Sequence, residues 1–219
     1  MKKIMLTCAL VILAGIVGHS QNTKDTFTLK GKITGQDGGK VYLYYQHKNG
    51  KSGKDSAVLN KGAFTFRGSI SEPTQAYFQG NVKSMAMDDP NSTSFYIEPA
   101  AMTITLTVDD FKHAVLTGCK TQDESVVLEK SKQSIYDEMK PLNIAYAKAG
   151  DDYRAAVKNK EPQAVIDSLN EKGAAIHDQF DPFQQRLGEI NFRFFKDHPN
   201  SYVTASMLQY YTGTLPLDT

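Results

Sequence analysis

Chemistry by a cysteine needs a thiolate with a base or a resolving thiol beside it. The chain has two cysteines, Cys8 and Cys119, and neither stands in a Cys-x-x-Cys pair. The nearest histidine to Cys119 is His113, six residues back. Cys119 falls where a strand pattern gives way to a helical one. Two roles fit that place: a thiol acidified by a helix N-terminus, or a small apolar residue filling a junction. The missing base and missing partner favour the second. Cys119 is thus a free thiol with no assigned role.

Other reactive constellations are equally incomplete. There is no Gly-x-Ser-x-Gly elbow, no Gly-x-Gly-x-x-Gly turn and no Walker loop, so hydrolase and nucleotide chemistry lack their local signatures. His47, His113, His177 and His198 are scattered, and no pair has the i, i+4 spacing that puts two ligands on one helix face. Asp88-Asp89-Pro90-Asn91, Asp109-Asp110 and Asp151-Asp152 depart from the alternating order of an EF-hand loop and read as solvated turns. The expectation is no catalytic residue, no metal and no cofactor.

Tyrosine is the remaining conspicuous type. Tyr42 and Tyr44 flank Leu43 in a strand pattern, and period-2 alternation puts both on the face opposite it. An outward aromatic pair can bind a glycan, a peptide or a partner domain, although tyrosine is also simply a good strand former. Tyr42 and Tyr44 are the candidate ligand or partner surface.

The elements that position these residues divide the chain in two. From Phe27 to Leu116, short alternating runs such as Phe27-Thr28-Leu29-Lys30-Gly31-Lys32-Ile33 are punctuated by turn signals at Gln36–Gly39 and Asn60–Gly62. About eight strands at this spacing predict an antiparallel sandwich or open barrel. Its expected core is Leu29, Ile33, Val41, Leu43, Val58, Phe64, Phe66, Ile70, Phe78, Ile97, Ile104, Leu106 and Leu116. After Gly118 the period lengthens. Val127 or Leu128, Ile135, Met139, Leu142 and Tyr146 make one helical stripe, and Val165, Leu169, Ile176, Phe180, Phe183, Leu187, Ile190 and Phe194 make a second. A kink or break is expected at Pro141, another break at Gly150-Asp151-Asp152, and a helix start at Pro162. Asn200 or Ser201 would cap a last helix. The fold class is α+β, a β-sandwich over 27–118 followed by a helical hairpin region over 119–219.

The first twenty residues have the grammar of a secretory leader. Met1-Lys2-Lys3 precedes an apolar run from Ile4 to Val17 and the small residues Gly18 and Ser20, which predicts cleavage after Ser20 and a short linker over 21–26. The run is shorter than the roughly 20 residues of a spanning helix, so no transmembrane span is expected after cleavage. Cys8 lacks a lipobox and would leave with the leader. Loss of Lys2 and Lys3 turns the formal net charge of +1 into −1. A near-neutral chain has no footprint for nucleic acid. The expected site of action is the periplasm or cell envelope.

One ordered pattern runs through the first half. Phe27-x-Leu29-x-Gly31-x-Ile33 is followed by Val41-Tyr42-Leu43, Asp55-Ser56-Ala57, Gly62-x-Phe64-x-Phe66-x-Gly68, Pro73, Phe95-Tyr96-Ile97-Glu98-Pro99 and Gly118-Cys119-Lys120-Thr121-Gln122. This resembles the exported β-sandwich module called domain of unknown function 4369, over about 27–120, and a helical connector resemblance continues through Phe195–Tyr202 to Thr219. The resemblance implies a neighbour of the thioredoxin-like, peroxiredoxin or disulfide-reductase type. These 219 residues contain no tryptophan and no Cys-x-x-Cys, so that redox activity does not transfer to them. Three functions follow in order. The first is a noncatalytic accessory module for a thioredoxin-like partner. The second is an envelope binding protein for a glycan or peptide, and the third, far behind, is an enzyme using Cys119. The oligomeric state is left open.

Overall fold

A computed structural model describes residues 25–84 and 89–211 of the chain. The expected leader with its expected junction at Ser20, Cys8, most of the expected 21–26 linker, Asp88 and residues 212–219 lie outside the described residues.

Eight strands form two four-stranded sheets. They are β1 (Thr26–Thr34), β2 (Lys40–Gln46), β3 (Ser52–Val58), β4 (Ala63–Ser69), β5 (Thr74–Gln79), β6 (Ser92–Ile97), β7 (Ala101–Thr107) and β8 (Val115–Thr117). One sheet has the order β4-β1-β7-β8 and the other β3-β2-β5-β6, so the sandwich is open rather than a closed barrel. All pairings are antiparallel except β1 with β7, which run parallel from Thr28↔Ala101 to Thr34↔Thr107. That pair departs from the antiparallel expectation. β1 lies between β4 and β7, two strands distant in sequence, so no hairpin turn dictates their relative direction.

The core between the sheets is aromatic and aliphatic. Phe78 stacks on Phe64 at 5.2 Å and meets Phe66, Phe95 and Phe111 edge-on or tilted. Twelve of the thirteen expected core residues are buried, and Val58 is the exception at 68% exposed. Asp55 and Ala57 take the inward positions of β3, so parity turns Val58 outward, and the buried Leu59 fills the core beyond the strand end. Gly118, with φ +82, turns the chain out of β8, and a Cβ there would sit 2.5 Å from the Ala101 carbonyl oxygen.

Helix α1 (Lys120–Asn159) runs unbroken for 40 residues, about 60 Å at the usual rise. It is not broken at Pro141, where a kink or break was expected, nor at Gly150-Asp151-Asp152, where a break was expected. Pro141 sits on the exposed side. Packing of Ile135 and Met139 against Leu187, and the Glu138–Arg186 fork at 2.6 and 2.8 Å, hold the helix on its other side. Around Gly150 the buried Ala149 and Ala156 let the next helix approach closely. The turn comes instead at Lys160, in the left-handed region at φ 57, before Pro162 caps α2 (Gln163–His177). A 3-10 turn over Asp178–Phe180 leads into α3 (Asp181–Asp197), which runs back along α1. Of the alternatives Val127 or Leu128 in the first stripe, Leu128 takes the buried place and Val127 is exposed, and Tyr146, also expected in that stripe, is exposed. Ser201 starts α4 (Tyr202–Tyr211), its Oγ accepting from Val203 N at 3.1 Å. Leu128, Phe194, Phe195 and Val203 form the cluster that ties α1, α3 and α4 together. Among the described residues no helix is long and apolar enough to cross a membrane.

Candidate functional site

The N-terminus of α1 is joined to edge strand β6, and Cys119 is part of the joint. A helix leaves its first N–H groups without intrahelical acceptors. Here Lys120 N donates to Glu98 Oε1 at 2.9 Å, Thr121 N to Glu98 Oε2 at 3.2 Å, and Gln122 N to Cys119 Sγ at 3.4 Å. Asp123 N reaches the Cys119 carbonyl at 3.1 Å. In return, the Cys119 thiol donates to the Tyr96 carbonyl at 3.3 Å and Tyr96 N donates to Gln122 Oε1 at 2.8 Å. The free thiol is fully buried. Burial pushes its pKa up to about 12, with Glu98 and Asp123 adding to the effect and the Gln122 N–H opposing it. A neutral thiol held between two backbone groups is a structural cap, not a nucleophile.

Tyr42 and Tyr44 do face outward from the β3-β2-β5-β6 sheet. The registers Tyr44↔Lys54 and Tyr44↔Tyr77 place three side chains in a row across β3, β2 and β5. Lys54 Nζ lies 3.9 Å from the Tyr42 ring centroid and 5.2 Å from that of Tyr44. Ring centroids of Tyr44 and Tyr77 are 5.9 Å apart, and the Tyr44 hydroxyl donates to Gln79 Oε1 at 3.1 Å. A shallow cleft of about 700 Å³ opens beside this row, with Gln75 and Ser94 on its far side. Tyr77, Lys54 and Gln79 were not singled out from the sequence, although their period-2 positions were readable. What sequence lacked was strand order, which decides that β5 lies next to β2.

Tyr45 points the other way and is buried, its hydroxyl donating to Asp55 Oδ2 at 2.7 Å. Burial first, then Asp55, raises its pKa well beyond the tyrosine range. His47 packs on its ring at 4.5 Å. The other histidines are dispersed: His113 pairs with Asp110 at 2.6 Å, His177 lies near Tyr146 and Phe180, and His198 stacks on Phe194.

The acidic turns are not all solvated, as the sequence suggested. Asp89 is buried and accepts from the backbone N–H of Lys83, Ser84 and Asn91 at 2.7–2.8 Å. Asn91 then bridges to Asp109, whose other oxygen meets Lys83 Nζ at 2.6 Å. Burial works against the Asp89 charge, but the Asn91, Ser84 and Lys83 donors outweigh it and its pKa is lowered. Among the described residues no group of three His, Cys, Asp or Glu side chains converges as a metal set. The network braces the β5–β6 and β7–β8 loops against each other.

These features define an open two-sheet sandwich with a helical arm rooted at the end of β6. The family model called "Domain of unknown function (DUF4369)" matches residues 27–125, which span the sandwich and the start of α1. No curated protein and no solved structure matches the chain.

Proposed function

We propose that this chain is a noncatalytic, exported accessory module of the periplasm or cell envelope. It positions or presents substrate for a thioredoxin-like thiol–disulfide oxidoreductase. The observation that supports this reading is the helical arm. No residue of α2 is buried, and Ile144, Val157 and Val165 stand 72%, 47% and 43% exposed along the hairpin. Exposed apolar side chains of this kind on a helical arm are suited to docking another domain. Cys119 contributes no redox chemistry in this reading, because its thiol is a cap. The test is direct: the full chain is immobilised and challenged with envelope thioredoxin-like domains. Binding that weakens in Ile144→Glu or Val165→Glu supports the proposal, and failure of every such domain to bind sinks it.

A second reading is a stand-alone envelope binding protein for a glycan or peptide, using the surface of Tyr42 and Tyr44. Lys54 favours it, since this cation lies over two tyrosine rings instead of pairing with a carboxylate. The chain has no tryptophan, so tyrosine emission reports binding without background. A flat titration with every envelope glycan and peptide would remove this reading.

A further inference from the structure

Tyr42, Tyr44 and Tyr77 stand on the outward face of the β3-β2-β5-β6 sheet, whereas the outward strand positions of the other sheet carry no aromatic residue. The registers put residues 40–46 of β2, 52–58 of β3, 75–79 of β5 and 92–96 of β6 alternately in and out. At none of the outward positions within these strands does a carboxylate occur, whereas Lys40 and Lys54 are both there. The other sheet also shows cations without carboxylates on its outward strand positions, Lys30, Lys32 and Arg67, so what sets this face apart is a cation lying against tyrosine rings. Lys54 makes no ion pair among the described residues and is held over the Tyr42 and Tyr44 rings. Around the Tyr44–Tyr77 pair the face is neutral and hydrogen-bonding, with Gln75, Gln79 and the exposed Ser94, while the apolar Val58 stands at the end of β3.

We infer that this face is a binding site for an acidic saccharide, one whose rings lie on Tyr44 and Tyr77 while a sugar carboxylate meets Lys54. The inference rests on the reading of the tyrosine face as a binding surface and adds the ligand class.

Charge complementarity sets the sign of the ligand. Its flat shape follows from the site, a shallow cleft beside two rings rather than a deep apolar pocket. Peptides are usually captured by a free strand edge, a hydrophobic groove or an arginine cluster. Tyr44 and Tyr77 lie on β2 and β5, the two central strands of the sheet, whose backbone groups are committed to neighbours on both sides. Only side chains are on offer here: aromatic plates, amides, hydroxyls and one cation. A pyranose presents C–H groups to a ring face and hydroxyls to amides around it. A uronic acid adds the carboxylate that an unpaired ammonium takes up.

The experiment uses the full chain and three uronic-acid oligomers as probes: oligogalacturonate, oligomannuronate and oligohyaluronate. Neutral cello-oligosaccharide and oligoglutamate serve as comparisons, with binding followed by calorimetry and tyrosine emission. Binding of at least one uronic-acid probe is expected, weakened about tenfold in Lys54→Gln, the loss of one charge-assisted contact. It should be abolished in Tyr77→Ala, with circular dichroism unchanged in both variants. Equal binding of the neutral oligosaccharide, insensitive to Lys54→Gln, would overturn the acidic assignment while leaving the face a glycan site. Binding of oligoglutamate alone would overturn the saccharide and keep the binding surface. No binding by any probe would overturn the inference, and the binding-surface reading would then rest on the wider titration.

Discussion

The Glu98 carboxylate receives the Thr121 side chain and backbone together, Oγ1 at 3.0 Å and N at 3.2 Å on the same Oε2, while its other oxygen holds Lys120 N. A residue just past strand β6 thereby caps the first turn of α1. A carboxylate at a helix N-terminus gains from both the unpaired donors and the helix dipole.

Glu98→Ala should therefore lower unfolding free energy by about 1–2 kcal/mol, the usual cost of losing an N-cap. Hydrogen exchange should speed first at the Lys120 and Thr121 amides. An unchanged exchange rate at both would show that the cap contributes little.

Cys119 should resist alkylation in the native protein at neutral and mildly alkaline pH, because its burial keeps the thiol protonated to about pH 12. In denaturant it should react like an ordinary free thiol. Rapid native labelling at pH 8 would contradict the buried cap.

Acid should loosen the Asp89 network late. Its folded pKa lies below the ordinary aspartate value of about 3.9, so its stabilising contribution is full above that value. The contribution is lost only as the pH falls through the lowered folded pKa. Asp109 is lowered in the same direction, chiefly by the Lys83 side chain and then by Asn91. Asp89→Asn should remove this part of the acid transition. An acid-unfolding profile identical to that of the native sequence would exclude the network as its source.

Pro141→Ala should stabilise α1. Proline in a helix interior costs roughly 3 kcal/mol relative to alanine, and Pro141 lies exposed in the middle of a continuous helix. Thermal and denaturant midpoints should rise. A fall would mean that the proline's local geometry is needed for α1 to meet α3.

Much of this architecture was legible in the residues themselves. Alternation alone separated Val41 and Leu43 from Tyr42 and Tyr44, because a strand's period of two is a local property. The start of α2 after Pro162 and a cap at Asn200 or Ser201, which the structure places at Ser201, were readable for the same reason, since φ restriction and a cap side chain act within one turn. What sequence could not decide was which strands become neighbours. The parallel β1–β7 pair and the row of Lys54, Tyr44 and Tyr77 depend on contacts between residues tens of positions apart, and loop closure leaves no local mark. Pro141 and Gly150 show the same limit from the other side. Their local preference is to break a helix, and packing of α1 against its returning partners outweighs it. Cys119 was visible in the sequence, but only the tertiary fold, by burying it between Tyr96 and Gln122, made it a cap rather than a reagent.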